Sequence, residues 1–295
     1  MPSALPLTPA SPVDVTLSSW FLEDDQEGAG DGGENDGAGR TQPPVLALIL
    51  LNHTLPTLTR PLFRRAALVV CADGGANRLY AAAPAWAPEM DASAARHAFL
   101  PSAIVGDLDS ISPGVSSFYA SAGVPIHGAP SDQDTTDLEK CLAYTRRWVE
   151  EGREEGRGAV VVVAAGALGG RLDHTLSAIN AAFSGTGGAP FSLVLLGDGN
   201  LARALPASGR VAIEPAACEG PACGVVALGG EVCGTVSAGL AWELTPATPA
   251  LTLGGLQSTS NAVVGVGAGG RARAVVEVGG GGGGRLLWVS EVRGG

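Results

Sequence analysis

The 295-residue sequence predicts a mixed α/β chain in two folded parts, and two observations carry that expectation. From about Pro44 to Asp198, uniformly apolar runs alternate with stretches of 3.6-residue period. That alternation predicts an open parallel sheet with helices on both faces. After about Asn200 the pattern changes to short Val/Leu runs punctuated by Gly and Pro, which suggests a β-sandwich or barrel. The expected parts are therefore residues 43–200 and 205–295, preceded by a tail over residues 1–42.

In the first part "VLALILL", "ALVVCAD", "SAIVGD", "AVVVVAAG" and "FSLVLLGD" read as strands, and strands so evenly apolar are covered on both sides. Between them "GANRLYAAA", "VSSFYASAG", "TTDLEKCLAYTRRWVEE" and "RLDHTLSAINAAF" read as helices, giving a Rossmann-like open sheet. In the second part "RVAIEP", "GVVAL", "GTVSAGLAWEL", "LTLGGLQSTS", "RAVVEV" and "RLLWVSEV" read as strands. The glycine run at 279–284 is expected to be a flexible hairpin loop.

The formal net charge is −11, but residues 1–39 hold eight acids and no Lys or Arg. The remainder has 18 basic and 21 acidic residues, a net charge of −3. Such balance argues against nucleic-acid binding, which needs a basic face. Residues 1–42 are rich in Gly, Pro, Asp and Glu and are expected to be disordered. No apolar run reaches the ~18 residues of a membrane span. Neither a basic, acid-poor presequence nor a secretory signal is recognisable, so a cytosolic location is expected. The five cysteines read as free thiols, and Cys218, Cys223 and Cys233 lack the CxxC spacing of a zinc site.

Ligands of open α/β sheets bind at the carboxyl ends of the strands. Four loops there carry acids or glycines: Asp73, Gly74 and Gly75; Asp107 and Asp109; Gly169, Gly170, Arg171, Asp173 and His174; and "SDQDTTDLEKCL", residues 131–142. In the last, Thr136 and Glu139 form a capping box, and acids in a first helical turn suit the macrodipole. Asp132 and Asp134 precede the cap, and a hard cation explains them better. Taken singly each loop has an ordinary structural explanation, as a turn, a cap or a surface pair. Together they predict a Mg²⁺-dependent enzyme acting on a polyphosphate, with glycine backbone approaching phosphate and arginine neutralising charge. Lys140 is the only lysine and follows Glu139, which excludes a P-loop and a protein-kinase strand lysine. "GVGAGG" at 265–270 fits GxGxxG but precedes a strand-like run, so a dinucleotide site is not expected there. His53, His97 and His127 read as surface or packing residues, and Trp86, Trp148 and Trp288 as packing residues.

Read together, "CADGGANRLY", "GDLDSI", "DQDTTDLEKCL", "GGRLDH", "GLAWEL" and "STSN" resemble the thiamine pyrophosphokinase family, in order from about residue 45 onward. The resemblance implies transfer of the β,γ-diphosphoryl group of ATP to thiamine, giving thiamine diphosphate and AMP. It further implies a homodimer with an N-terminal ATP/Mg²⁺-binding α/β domain, a C-terminal β-sandwich, and thiamine between subunits. On that basis Asp107, Asp109 and Asp134 are the metal-linked carboxylates, and Asp73, Gln133, Asp137, Arg171 and Asp173 surround the phosphates. Gly74, Gly75, Asn77, Thr136, Lys140 and His174 complete the nucleotide side. Trp242 stacks on a thiamine ring, with Ser258, Ser260 and Asn261 beside it. The alternatives are a Mg²⁺-dependent nucleotide phosphohydrolase without a thiamine pocket and a nucleotide or thiamine sensor without turnover.

Overall fold

The computed structural model describes residues 7–9, 11–22, 44–128, 134–154, 158–185, 190–266, 272–279 and 282–293. They fall into two compact units, one between positions 33 and 198, the other combining the N-terminal segment with residues after 198. No helix among the described residues is long and apolar enough to cross a membrane.

In chain order the elements are β1 Val15–Ser18, β2 Val45–Leu50, α1 Thr59–Arg65, β3 Leu68–Ala72, α2 Gly75–Trp86, α3 Ala92–Ala98, β4 Ala103–Gly106, α4 Pro113–Ser121 and β5 Ile126–Gly128. There follow α5 Asp137–Glu154, β6 Val160–Ala165, α6 Leu172–Gly185, β7 Phe191–Gly197, β8 Asn200–Ala204 and β9 Gly209–Glu214. The chain ends with β10 Glu219–Leu228, β11 Val236–Ala238, β12 Ser258–Ala262, β13 Ala274–Val278 and β14 Arg285–Val292.

The unit before Gly199 is built on parallel strands in the order β7-β6-β2-β3-β4-β5. The chain walks outward from β2 to β5 and then returns to β6 on the other side of β2. Strand order thus reverses between β2 and β6, the place where such sheets open a crevice at their carboxyl ends. β3 is buried along its whole length and β2 along all but its first residue, as their unbroken apolar sequence demands. α2 packs on β2 and β3, and α5 packs on β2, β3 and β4.

Three elements of this unit were not expected. β5 is only Ile-His-Gly with two exposed residues, too short for any periodicity. α1 begins without a side-chain cap. α3 is alanine-rich, and its start is set by Asp91, which accepts hydrogen bonds from the Ser93 and Ala94 N–H groups at 2.9 and 3.0 Å.

The second unit contains a four-stranded sheet, β1-β9-β13-β11, and a run of strands β12-β10-β14-β8. Val211, Ile213 and Val276 of the first meet Val225, Leu286 and Trp288 of the second in one core.

Two expectations fail here. Residues 15–22 are not part of a disordered tail. β1 pairs in parallel with β9, Val15 opposite Val211, and Phe21 and Leu22 are buried. The buried Arg203 guanidinium lies 5.4 Å from the Phe21 ring centre and donates to the Ser18 carbonyl and the Ser19 hydroxyl. The composition of residues 1–42 is dominated by the acidic, glycine-rich stretch, which hid the short run "VTLSSWFL". Residues 23–43, holding most of the acids of the expected tail, lie outside the described residues.

The glycine run is not a hairpin either, because β13 and β14 lie in different sets of strands. Its described glycines pack backbone to backbone. A Cβ at Gly284 would collide with the Gly230 carbonyl, and Gly283 bridges Glu231. Glycine is needed there for close approach. Of "GVGAGG", residues 267–270 lie outside the described residues.

Candidate active site

The loops after β3 and β4 and the first turn of α5 bring three carboxylates together. Asp73 leaves β3 with φ 41°, a left-handed backbone rare outside glycine. Its buried carboxylate accepts hydrogen bonds from the Ser110 N–H at 2.8 Å and the Ile111 N–H at 3.0 Å, which fixes the loop carrying Asp107. Asp107 in turn donates its N–H to Asp137 Oδ1 at 3.3 Å. One oxygen from each of Asp73, Asp107 and Asp137 lies within 4.8 Å of the others. Gly106 makes the approach possible, since a Cβ there would stand 2.7 Å from Asp73 Cβ and 3.0 Å from Asp137 Oδ1.

Burial, with Asp107 adding to it, pushes the Asp73 and Asp137 carboxyls above their ordinary range, against the pull of their backbone hydrogen bonds. Three mutually repelling carboxylates with so little countercharge are suited to a hard divalent cation such as Mg²⁺, which takes oxygen ligands and retains several waters.

Asp109 and Asp134 stand outside that trio. Asp109 is exposed and accepts from the Ser110 hydroxyl at 2.8 Å, while its N–H donates to Asp107 Oδ1 at 3.4 Å. Asp134 is exposed, and Asp132 and Gln133 lie outside the described residues. Thr136 and Glu139 form the capping box. The Thr136 N–H and hydroxyl donate to Glu139 Oε2, both at 2.8 Å, and the Glu139 N–H donates to Thr136 Oγ1 at 3.3 Å. Lys140 donates to the Thr135 carbonyl at 2.9 Å and lies 3.7 Å from Asp137 Oδ1, so it partly offsets the acids.

Gly74 and Gly75 are buried. A Cβ on the first would collide with the Asn52 side chain and one on the second with the Leu50 carbonyl. Asn77 braces the same loop as Asp73, donating to the Ser110 carbonyl at 2.9 Å and accepting from the Ser112 N–H at 3.0 Å. Beyond β6, Gly169 and Gly170 take φ of 93° and 66° and lead into Arg171, whose Nε donates to Asp173 Oδ1 at 3.1 Å. Both partners are exposed, and that hydrogen bond holds the Asp173 carboxyl below its usual range. His174 is exposed beside them. Parallel strand direction puts this turn at the same sheet edge as the acidic trio.

Sequence reasoning missed Gly106 and Asn52 here, whereas His53 packs as its reading expected. A Cβ on Gly170 would collide with the His53 ring, so the loop after β2 packs against the glycine turn after β6. The signal was position alone, since "LNHT" follows a strand as the other loops do but carries no acid.

The other unit gathers Trp242, Ser258, Ser260 and Asn261. Trp242 is 66% exposed, whereas Asn261 is buried and bonds to the Trp242 backbone and to the Ser258 hydroxyl. Ser260, with φ 58°, is exposed on β12.

Fold and site together define a class: a mixed α/β protein with a cation-competent carboxylate trio at a parallel sheet edge in one unit and a displayed indole in the other. Two family models match in order, "Thiamin pyrophosphokinase, catalytic domain" over residues 59–187 and "Thiamin pyrophosphokinase, vitamin B1 binding domain" over residues 210–269. Thiamine pyrophosphokinase 1 of Arabidopsis thaliana is 39% identical over 218 residues, 74% of this chain and 79% of the relative. The chain belongs to the thiamin pyrophosphokinase family. Its fold is similar to the crystal structure of the yeast enzyme, with a TM-score of 0.73, 20% identity, and coverage of 95% of this chain and 92% of that one. Thiamin pyrophosphokinase from Candida albicans gives a TM-score of 0.74 at 20% identity, covering 97% and 95%.

Proposed function

We infer that the chain is a thiamine diphosphokinase, transferring the β,γ-diphosphoryl group of ATP to the hydroxyl of thiamine and releasing AMP. The observation that carries this is the 39% identity to the Arabidopsis thaliana thiamine pyrophosphokinase across 79% of that protein. Catalytic and vitamin B1-binding family models both match, in the same order.

Phosphoryl transfer relies on positioning and charge neutralisation more than on covalent help from the protein. In this reading Asp73, Asp107 and Asp137 would hold Mg²⁺, and the exposed Asp109 and Asp134 would be the further carboxylates available to it. Bound there, Mg²⁺ supplies the positive charge that screens the polyphosphate. Asp73 and Asn77 hold the 107–112 loop in register through its N–H groups. Arg171, on its glycine turn and kept oriented by Asp173, meets charge developing on the transferred group. Trp242 offers an indole face to the cationic thiazolium, a contact worth roughly 0.5 to 2 kcal/mol.

The parallel sheet is a Rossmann-like layer covered on both faces, and the second unit is a β-sandwich. The exposed apolar side chains of Trp242, Leu253, Leu256 and Val264 support a homodimer. No disulfide joins the five cysteines, as suits a reducing cytosol.

The test is product analysis of purified protein with Mg²⁺, ATP and thiamine, resolving AMP from ADP. AMP formed in step with thiamine diphosphate is expected. ADP or free phosphate made without thiamine would leave a phosphohydrolase instead, and binding without turnover a sensor.

A further inference from the structure

Trp242 sits at the crest of a short loop that spends an unusual number of hydrogen bonds on its own shape. Gly239 leaves β11 with φ 91°, where a Cβ would collide with the Arg273 carbonyl, so the chain turns sharply at that point. Leu240 and Leu244 then drop into the core, and Ala241, Trp242 and Glu243 between them stay exposed.

Two side chains fix this crest. Glu243 Oε1 accepts from the Gly239 N–H at 2.7 Å and the Leu240 N–H at 3.0 Å, and Oε2 accepts from the Ser237 hydroxyl. The same Ser237 oxygen accepts from the Leu244 N–H at 2.8 Å, so one carboxylate ties the start of the loop to its end. Asn261 grips the crest from β12. Its Oδ1 accepts from the Trp242 N–H at 3.1 Å and the Ala262 N–H at 2.8 Å. Its Nδ2 donates to the Trp242 carbonyl at 2.8 Å and to Ser258 Oγ at 3.1 Å. Both donors and two acceptor sites of the buried amide are thereby used within the protein, leaving little for a ligand.

An indole left in water gains nothing from such a cage by itself. Rigid presentation of a binding face does, because it removes the ordering cost otherwise met on association. We propose that Glu243 and Asn261 are positioning residues that hold the Trp242 backbone so that its indole is pre-set for the thiamine ring. This rests on the reading that Trp242 receives thiamine. Asn261 then acts through Trp242 rather than by touching substrate, and Glu243 joins the site by the same route.

The test compares Trp242→Ala, Glu243→Ala, Glu243→Gln, Asn261→Ala and the Trp242→Ala/Glu243→Ala double variant. Steady-state kinetics is run with each substrate varied, and thiamine binding is measured by calorimetry. Glu243→Ala should raise the thiamine KM and Kd about tenfold or more with the ATP KM unchanged, since only the pre-ordering is lost. Glu243→Gln keeps an acceptor for the two N–H groups and should recover part of that loss. In the Trp242→Ala background Glu243→Ala should add less than about twofold, the mark of two residues acting as one unit. Full additivity, or equal rises in both KM values, would overturn the clamp. A thiamine KM and Kd unchanged by Trp242→Ala would show that the thiamine reading had failed, and the clamp with it. Normal Trp242→Ala losses with an innocuous Glu243→Ala would refute the clamp alone. If Glu243→Ala does not fold, Asn261→Ala and Glu243→Gln carry the same comparison.

Discussion

Replacing Asp137 by Asn should stabilise the protein when divalent cations are removed, an unusual result for a change in a site of this kind. Its carboxylate has oxygens of Asp73 and Asp107 within 4.8 Å. At that distance each repels it by about 3.5 kcal/mol at an effective dielectric of about 20, and by about 0.9 kcal/mol in bulk water. Lys140, 3.7 Å away, returns about 4.5 or 1.1 kcal/mol under the same two conditions. The carboxylate is therefore repelled by roughly 0.6 to 2.4 kcal/mol, less about 0.3 to 1 kcal/mol for its favourable place at a helix start. Asn preserves the acceptor for the Asp107 N–H. The expected gain is roughly 0.3 to 1.4 kcal/mol, or about 1 to 5 °C in Tm by the usual scaling for a chain of this size. Thermal unfolding is followed in EDTA and again with saturating Mg²⁺. Wild type should gain from the metal by mass action, and the variant much less. A lower Tm for Asp137→Asn in EDTA, or equal Mg²⁺ stabilisation of both proteins, would refute the reasoning.

Four further outcomes follow from contacts described above. The Asp73 and Asp137 carboxyls bind protons more tightly folded than unfolded, so their contribution to metal-free stability grows as pH falls through their raised folded-state range. The stability gap between Asp137→Asn and wild type should accordingly narrow as pH is lowered from neutral in urea titrations, and a widening gap would contradict this. Phe21→Ala removes a buried ring that lies beside Arg203 and should cost about 3 to 5 kcal/mol in denaturant unfolding. A loss within about 0.5 kcal/mol would mean that the N-terminal arm is not docked in solution. Gly75→Ala should abolish soluble folded protein, because its Cβ meets the Leu50 carbonyl. Gly114→Ala in α4, with nothing within 4 Å, should instead stabilise by about 0.5 to 1 kcal/mol, as unfolding curves would show.

What the sequence made legible, and what it hid, divides along physical lines. β2, β3, β6 and β7 declare themselves because a strand covered on both faces must be apolar throughout, and "VLALILL" allows little else. The capping box at Thr136 and Glu139 is local chemistry, readable three residues apart. The carboxylate trio was less legible. Asp107 and Asp109 are neighbours in sequence, yet the backbone between them takes φ 67° at Leu108, and Asp107 faces Asp73 and Asp137 instead. Gly106 showed no reason to be glycine until Asp73 and Asp137 stood on either side of it. β1 was hidden because a short strand gains its stability from a partner almost two hundred positions away, and no window of sequence contains both.

That separation bears on how the molecule is made. Val15 lies opposite Val211 in the finished sheet, so β1 waits about 10 to 40 s for its partner at ordinary rates of synthesis. The unit between positions 33 and 198 can condense meanwhile, because all its strands are contiguous in the chain. During that interval the arm must remain harmless to its neighbours. With one serine, one threonine and only two apolar residues, β1 is a poor template for self-association, and the burial of Phe21 and Leu22 is deferred until synthesis has passed Arg203 and β9. Birth order thus limits how apolar β1 can be.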